Sequence, residues 1–322
     1  MNVVEQQSAT AISLKNILFA TDFSAASESA LPYALAISRR YGSVLHAAHV
    51  LSEGQMLMMS GSLDGAGYES VLEGALLAAE ARMHELTARF DDLPYKTYVG
   101  YGQIWDSLSG LIRSSAIDLL VVGTHGRTGV GKLLMGSVAE QIFRQTPCPV
   151  LTVGPKVSGH ARLPLVSGGE SHELAPAELE LREIVFATDF SRESLSALPY
   201  AISLAREFQA RLALLHVIEV YPRQEKGSDP VEAALQRLSG LVPEDAGLWF
   251  QPEPVIGFDS PAEAILKTAA QRNADLIILG VRPPRGHLTA ATHLPWRTAH
   301  KVVAEARCPV LTIRGSIPAS ST

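Results

Sequence analysis

The chain of 322 residues is 47% hydrophobic and 19% charged, with 33 acidic side chains against 27 basic ones and 6% aromatics. That length suits two domains, each able to bury its own core, while the acidic balance and scarce aromatics exclude a nucleic-acid surface. Cys148 and Cys308 are too few and too far apart for a disulfide scaffold or a four-ligand zinc site. With no basic leader, no apolar h-region and no run of about 18 apolar residues, we expect a soluble, cytoplasmic protein with no membrane partner.

In chain order, residues 17–20 read as a buried strand, and Ser24 as the N-cap of a helix through Leu31, Leu35 and Ile37 that Pro32 kinks. Residues 44–51 form a second strand. Leu72, Leu76, Ala79, Met83, Leu86 and Phe90 fall at three- and four-residue spacings and predict a long amphipathic helix over 69–90. A strand at 95–99, a helix carrying Ile104, Leu108, Leu111 and Ile112, a strand at 119–122, a helix at 138–145 and a last strand at 150–153 complete the set. Alternation of apolar strands with helices predicts a parallel sheet covered on both faces, with ligands bound beyond the C-terminal strand ends where strand order reverses.

The whole pattern occurs twice. Residues 17–34 and 184–201 match at 14 of 18 positions with a spacing of 167 residues, and the match continues through His49-Val50 and His216-Val217, residues 117–123 and 274–280, and residues 148–153 and 308–313. A period this long is duplication of a whole domain, since solenoid repeats are about 20–50 residues. We therefore expect domains at 1–154 and 182–315, a Gly-, Ser- and Pro-rich linker at 155–181 and a tail at 316–322. The second copy's second helix, near Pro230 to Leu238, looks about half as long as its counterpart.

The fourth strand is followed at once by Gly123-Thr-His-Gly-Arg-Thr-Gly-Val-Gly-Lys-Leu-Leu-Met-Gly136-Ser137, leading into a helix. Glycines let backbone N–H groups approach a ligand, and a helix N-terminus adds orphan donors, a combination that suits phosphate. Residues 126–133 have Walker A spacing, but Leu133 stands where a magnesium-binding hydroxyl belongs, so the likeness is a false lead. At the first strand end, Thr21 and Asp22 offer a hydroxyl and a carboxylate to a ribose or base edge.

The pattern Gly123-x2-Gly126-x9-Gly136-Ser137 after an Ala-Thr-Asp-Phe-Ser strand end resembles the ATP-binding pattern of the universal stress protein family, and the Ala-Leu-Pro-Tyr-Ala helix, His49-Val50 and residues 147–153 fit as well. The resemblance covers nearly all of both halves. It implies two tandem Rossmann-like domains of α/β class, each a five-stranded parallel sheet with helices on both faces, pairing through their last strands at 150–153 and 310–313, and leaves a homodimer open. It further implies that Asp22 and Val50 contact adenine, that Gly123, His125 and Gly126 line the ribose and α-phosphate, and that Gly136, Ser137 and Val138 hold the outer phosphates. Arg127 and Lys132 lie in the same loop, outside the strict motif positions, and could add charge, and a magnesium ion could bridge the phosphates. The second copy departs from this pattern: Pro283 replaces the second glycine, and Trp296-Arg297 stand at the positions of Gly136-Ser137, so we expect it not to bind ATP in this manner.

Plainer readings accompany these. His49 and His216 read as satisfied strand-end histidines, Asp189 as a turn residue, both cysteines as small buried hydrophobes, and Trp105, Trp249 and Trp296 as packing groups. The run Gln55-Met-Leu-Met-Met59 is as consistent with a flap over the nucleotide as with packing on its own domain. Function then divides three ways: an ATP-binding regulatory protein with one competent site and at most slow hydrolysis, which we favour; an ATPase or a nucleotidyl or phosphoryl transferase on the same scaffold; or a scaffold protein that binds no nucleotide.

Overall fold

The computed structural model describes residues 12–61, 65–90, 93–124, 141–142, 145–157, 161–162, 178–219, 229–243, 246, 248–281 and 294–315. The chain divides into two compact units, one of Ser13–Val153 with Ala161–Leu179, the other of Met1–Ile12, Gly154–His160 and Glu180–Thr322.

In the first unit, β1 (Asn16–Ala20), β2 (Val44–Ser52), β3 (Tyr95–Gly102), β4 (Leu119–Gly123) and β5 (Val150–Val153) form a parallel sheet in the order β5-β4-β1-β2-β3. Helices α1 (Ala25–Glu28), α2 (Leu31–Tyr41), α3 (Glu53–Ser60), α4 (Gly65–Thr87) and α5 (Ile104–Ser114) lie between the strands. Ile17, Leu18 and Phe19 of the central strand are all fully buried, as an unbroken apolar run requires when both faces are covered. On one face Leu18, Ala48 and Leu120 pack against Leu108 and Ile112 of α5. Side chains alternate along a strand, so Ile17 and Phe19 point the other way, where α2 contacts β1 and α4 contacts β2.

The second unit repeats this. Strands β8 (Glu183–Ala187), β9 (Arg211–Ile218), β10 (Glu253–Phe258), β11 (Leu276–Val281) and β12 (Val310–Arg314) pair in parallel in the order β12-β11-β8-β9-β10. Its helices are α6 (Arg192–Leu195), α7 (Leu198–Phe208), α8 (Pro230–Ser239), α9 (Pro261–Arg272) and α10 (Leu294–Glu305). At ten residues α8 is less than half the 23 of α4.

An aspartate fixes the central register in each copy. Asp118, just before β4, accepts through Oδ2 from the backbone N–H groups of Lys15 and Asn16 at 2.7 and 2.9 Å. Asp275 does the same for Arg182 and Glu183 at the same two distances. Each carboxylate satisfies two donors at the start of the middle strand, and so ties the level of β4 to that of β1 and of β11 to that of β8.

Four features differ from the sequence reading. The kink expected at Pro32 is a complete break: α1 ends at Glu28, and α2 starts anew at Leu31 with the proline in its first turn, where a missing N–H costs nothing. The methionine run is helical, because Ser52 and Gln55 form a reciprocal capping box at the start of α3. Met56 is fully buried beside Leu51 and Ala75, while Leu57, Met58 and Met59 are exposed. Within the expected linker, β6 (Ala161–Arg162) and β7 (Glu178–Leu179) form an antiparallel pair that contacts α2. Trp249 is 70% exposed and so is not a packing residue, whereas Trp105 packs against the α5 core. The helix expected over 138–145 lies largely outside the described residues, and none of the described helices is long and apolar enough to cross a membrane.

Replacing Asp118 with alanine orphans two backbone donors at the head of β1. We predict a loss of about 1–3 kcal/mol in unfolding free energy, read as a lower denaturant midpoint, and a similar loss for Asp275→Ala.

Candidate functional site

Strand order reverses between β1 and β4, since β1 is flanked by β2 on one side and β4 on the other. The chain leaves the sheet here at Thr21 and at Thr124, which makes the crevice beyond these two ends the place where a doubly wound sheet receives a ligand.

The turn after β1 is built by a relay of hydroxyls. Ser27 Oγ donates to the Ser24 carbonyl at 2.9 Å, which leaves Thr21 Oγ1 to donate to Ser27 Oγ, also at 2.9 Å. Thr21 Oγ1 in turn accepts from the Phe23 N–H at 2.9 Å. Thr21 and Ser27 are both buried. The Thr21 backbone N–H donates to the Ala48 carbonyl, and its own carbonyl accepts from His49 Nδ1 at 2.8 Å. That contact places the ring proton of His49 on Nδ1, the satisfied role expected for this histidine. Phe23 then takes the left-handed conformation, φ 58°, with its ring 4.4 Å from that of His49 and 4.6 Å from the Arg82 guanidinium. Asp22 Oδ1 accepts from Ser24 N–H at 3.0 Å and from Ser24 Oγ at 2.6 Å, while the Ser24 hydroxyl oxygen caps α1.

The second copy reproduces this turn. Ser194 donates to the Ser191 carbonyl, Thr188 meets Ser194 at 2.8 Å, Phe190 N–H donates to Thr188 Oγ1 at 2.9 Å, and His216 Nδ1 donates to the Thr188 carbonyl at 2.9 Å. Phe190 has φ 60° and lies between His216 and Arg237. Asp189 Oδ1 accepts from Ser191 N–H, the turn role expected of it.

Gly123 has a packing reason. A Cβ there would overlap the Ala26 carbonyl oxygen and sit 2.7 Å from its carbon, because the backbone of α1 lies directly against the end of β4. Gly280 is held in the same way, with a Cβ falling 2.5 Å from Ser194 Cα of α6. The glycine is thus kept even in the copy whose following loop carries Pro283.

Of the residues singled out from sequence, Thr21, Asp22 and Gly123 meet at the β1 and β4 ends, and Val50 is buried on β2 next to them. The Thr21 hydroxyl proton is committed inside the turn. His125, Gly126, Arg127, Lys132, Gly136, Ser137 and Val138 lie outside the described residues, as do Pro283 and the Trp296 side chain. Phe23 and Arg82 were missed: neither belongs to a spacing motif, and the left-handed geometry that joins them is invisible in a sequence. Among the described residues no three His, Cys, Asp or Glu side chains gather as a metal site. Cys148 and Cys308 are free, and burial pushes both thiols up to about 12.

The model of the universal stress protein family matches residues 13–154 and 180–314. Similar curated proteins include the universal stress protein MJ0531 of Methanocaldococcus jannaschii, 28% identical over 43% of this chain and 81% of the relative, and one from Thermus aquaticus, 33% identical over 41% of this chain and 98% of the relative. A universal stress protein structure from Archaeoglobus fulgidus superposes with a TM-score of 0.66 at 20% identity, covering 95% of this chain and all of that one. A functionally unknown protein from Pseudomonas aeruginosa gives 0.60 at 16% identity, covering 94% of this chain and 93% of its own. At these identities the two structures speak for the fold alone.

Two measurements test the site's construction. Gly123→Ala should cost about 1–3 kcal/mol of stability, as overpacking against a backbone does, and Gly280→Ala should cost a similar amount, seen by denaturant unfolding without any ligand. For the thiols, alkylation at pH 8 should be slow in the folded protein and fast in denaturant. Unfolded thiols ionise near 9 and folded ones near 12, so above pH 9 the folded state binds more protons and stability should fall as pH rises.

Proposed function

The chain belongs to the universal stress protein family, and from that premise we propose that its first repeat binds ATP at the β1/β4 switch point as a regulatory ligand. The observation that carries this reading is that the segment with Gly126, Gly136 and Ser137, where the two repeats part in sequence, departs from the β4 end beside the Asp22 turn. Asp22 and the strand end at Val50 would face the adenine. The backbone of Gly126 and Gly136 and the hydroxyl of Ser137, with Val138, would hold the phosphates, assisted by His125, Arg127 and a magnesium ion carried by the phosphates themselves.

Asp22 is the only carboxylate between residues 15 and 27, and the loop from 123 to 138 contains none. Catalysis of phosphoryl transfer would need a positioned base or a metal held by carboxylates, so ATP acts here as a ligand, hydrolysed slowly at most. Its effect on the protein then rests on differential affinity for two conformations. Two free thiols favour a reducing, cytoplasmic setting. The second repeat, with Pro283 and Trp296 in place of phosphate donors, serves as the companion domain.

Freshly purified protein should release ATP on denaturation, and titration of the emptied chain should reach one nucleotide per chain. Gly136→Trp, which copies the second repeat, should abolish binding altogether; residual binding at half the sites of a two-site isotherm would contradict the assignment to the first repeat.

A further inference from the structure

We propose that Arg82, on α4, is a positioning residue for the nucleotide site, acting through the peptide group that joins Phe23 to Ser24. This rests on the reading of the first repeat as an ATP site and adds a residue outside its loop and strand ends.

Arg82 Nη2 donates to the Phe23 carbonyl at 2.9 Å, while its guanidinium lies 4.6 Å from the centre of the Phe23 ring. The other end of the same peptide group, the Ser24 N–H, donates to Asp22 Oδ1 at 3.0 Å. A donor on the carbonyl polarises the amide and strengthens its N–H as a donor. Arg82 therefore fixes the plane of the peptide that orients Asp22, and it does so from α4, a helix that starts at Gly65, well beyond the end of β2 at Ser52. The link is needed because a bulky residue with φ 58° is held only by its surroundings. His49 supports one side of the Phe23 ring, and Arg82 supports both the ring and the carbonyl.

The second repeat serves as an internal control. Arg237 lies over Phe190 at 4.1 Å, and Ser191 N–H donates to Asp189 Oδ1 at 2.9 Å. Among the described residues, Arg237 makes no bond to the Phe190 carbonyl, and the Ser191 hydroxyl makes none to Asp189. The first copy has both: Arg82 donates to the Phe23 carbonyl, and the Ser24 hydroxyl donates to Asp22 Oδ1. The ring stack is common to the two copies and belongs to the fold. Among the described residues, the added bonds occur in the copy whose sequence keeps the phosphate loop and not in the other.

Arg82 is an exposed residue, so its substitution leaves the core intact. The test is calorimetric titration of the full chain with ATP and magnesium for wild type, Arg82→Ala, Arg82→Lys, Asp22→Ala and the Arg82/Asp22 double variant, each with its unfolding midpoint. We expect Arg82→Ala to bind about tenfold more weakly and Arg82→Lys, which can still donate to the carbonyl, to recover most of the loss. In the Asp22→Ala background, Arg82→Ala should then cost nothing further, the signature of two residues acting as a unit. Unchanged affinity in Arg82→Ala, or the same loss with and without Asp22, would overturn the positioning role while leaving the ATP site standing. A wild type that does not bind ATP would overturn both.

Discussion

The architecture of each repeat turns on a backbone-to-backbone contact: the first short helix lies so close to the end of the fourth strand that only a glycine fits there. Gly123 meets the Ala26 carbonyl, and Gly280 meets Glu193 and Ser194. That contact sets how far the first helix can tilt and where the chain leaves β4, and so the distance between the two strand ends that flank the crevice. The aspartate ties at the opposite end of the sheet, Asp118 to residues 15 and 16 and Asp275 to residues 182 and 183, complete the constraint by fixing register. Between them, the central strands have no freedom to slip, and a slip of one residue would turn every buried side chain of β1 to the wrong face.

Duplication separates what the fold requires from what a ligand requires. The hydroxyl relay, the left-handed phenylalanine, the histidine on the threonine carbonyl and the strand-end glycine occur in both copies with distances that agree within about 0.1 Å. Since the second sequence has Pro283 and Trp296-Arg297 where the first has Gly126 and Gly136-Ser137, the features the two copies share are explained by the need to turn the chain sharply from a parallel strand into a helix. Gly123 therefore says less about nucleotide than its place in a glycine motif suggests. The weight of the functional reading shifts to Gly126, Gly136 and Ser137, where the two sequences part.

Much of the fold was legible in the sequence because a parallel sheet covered on both faces needs continuous apolar runs, and residues 17–20, 44–51 and 119–122 are such runs. The break between α1 and α2 was read as a kink because proline signals interruption without saying whether the helix resumes. The capping box at Ser52 and Gln55 was present in the sequence, but the glycine and serine around it masked it. For the site, the positions at strand ends could be named from spacing, whereas Phe23 and Arg82 could not. They are 59 residues apart and meet only because the turn adopts a conformation that phenylalanine rarely takes.

The same distinction bears on charge. A net −6 over the chain disfavours an anionic ligand at long range, yet at physiological salt the Debye length is about 8 Å, so that repulsion is screened outside the crevice. On the proposed reading the donors there would be neutral ones, since backbone N–H groups and a helix end carry partial positive charge without a counterion to displace. Among the described residues, the first repeat's turn carries two bonds that its counterpart in the second repeat lacks, and on the proposed reading they hold the base side of the site in place.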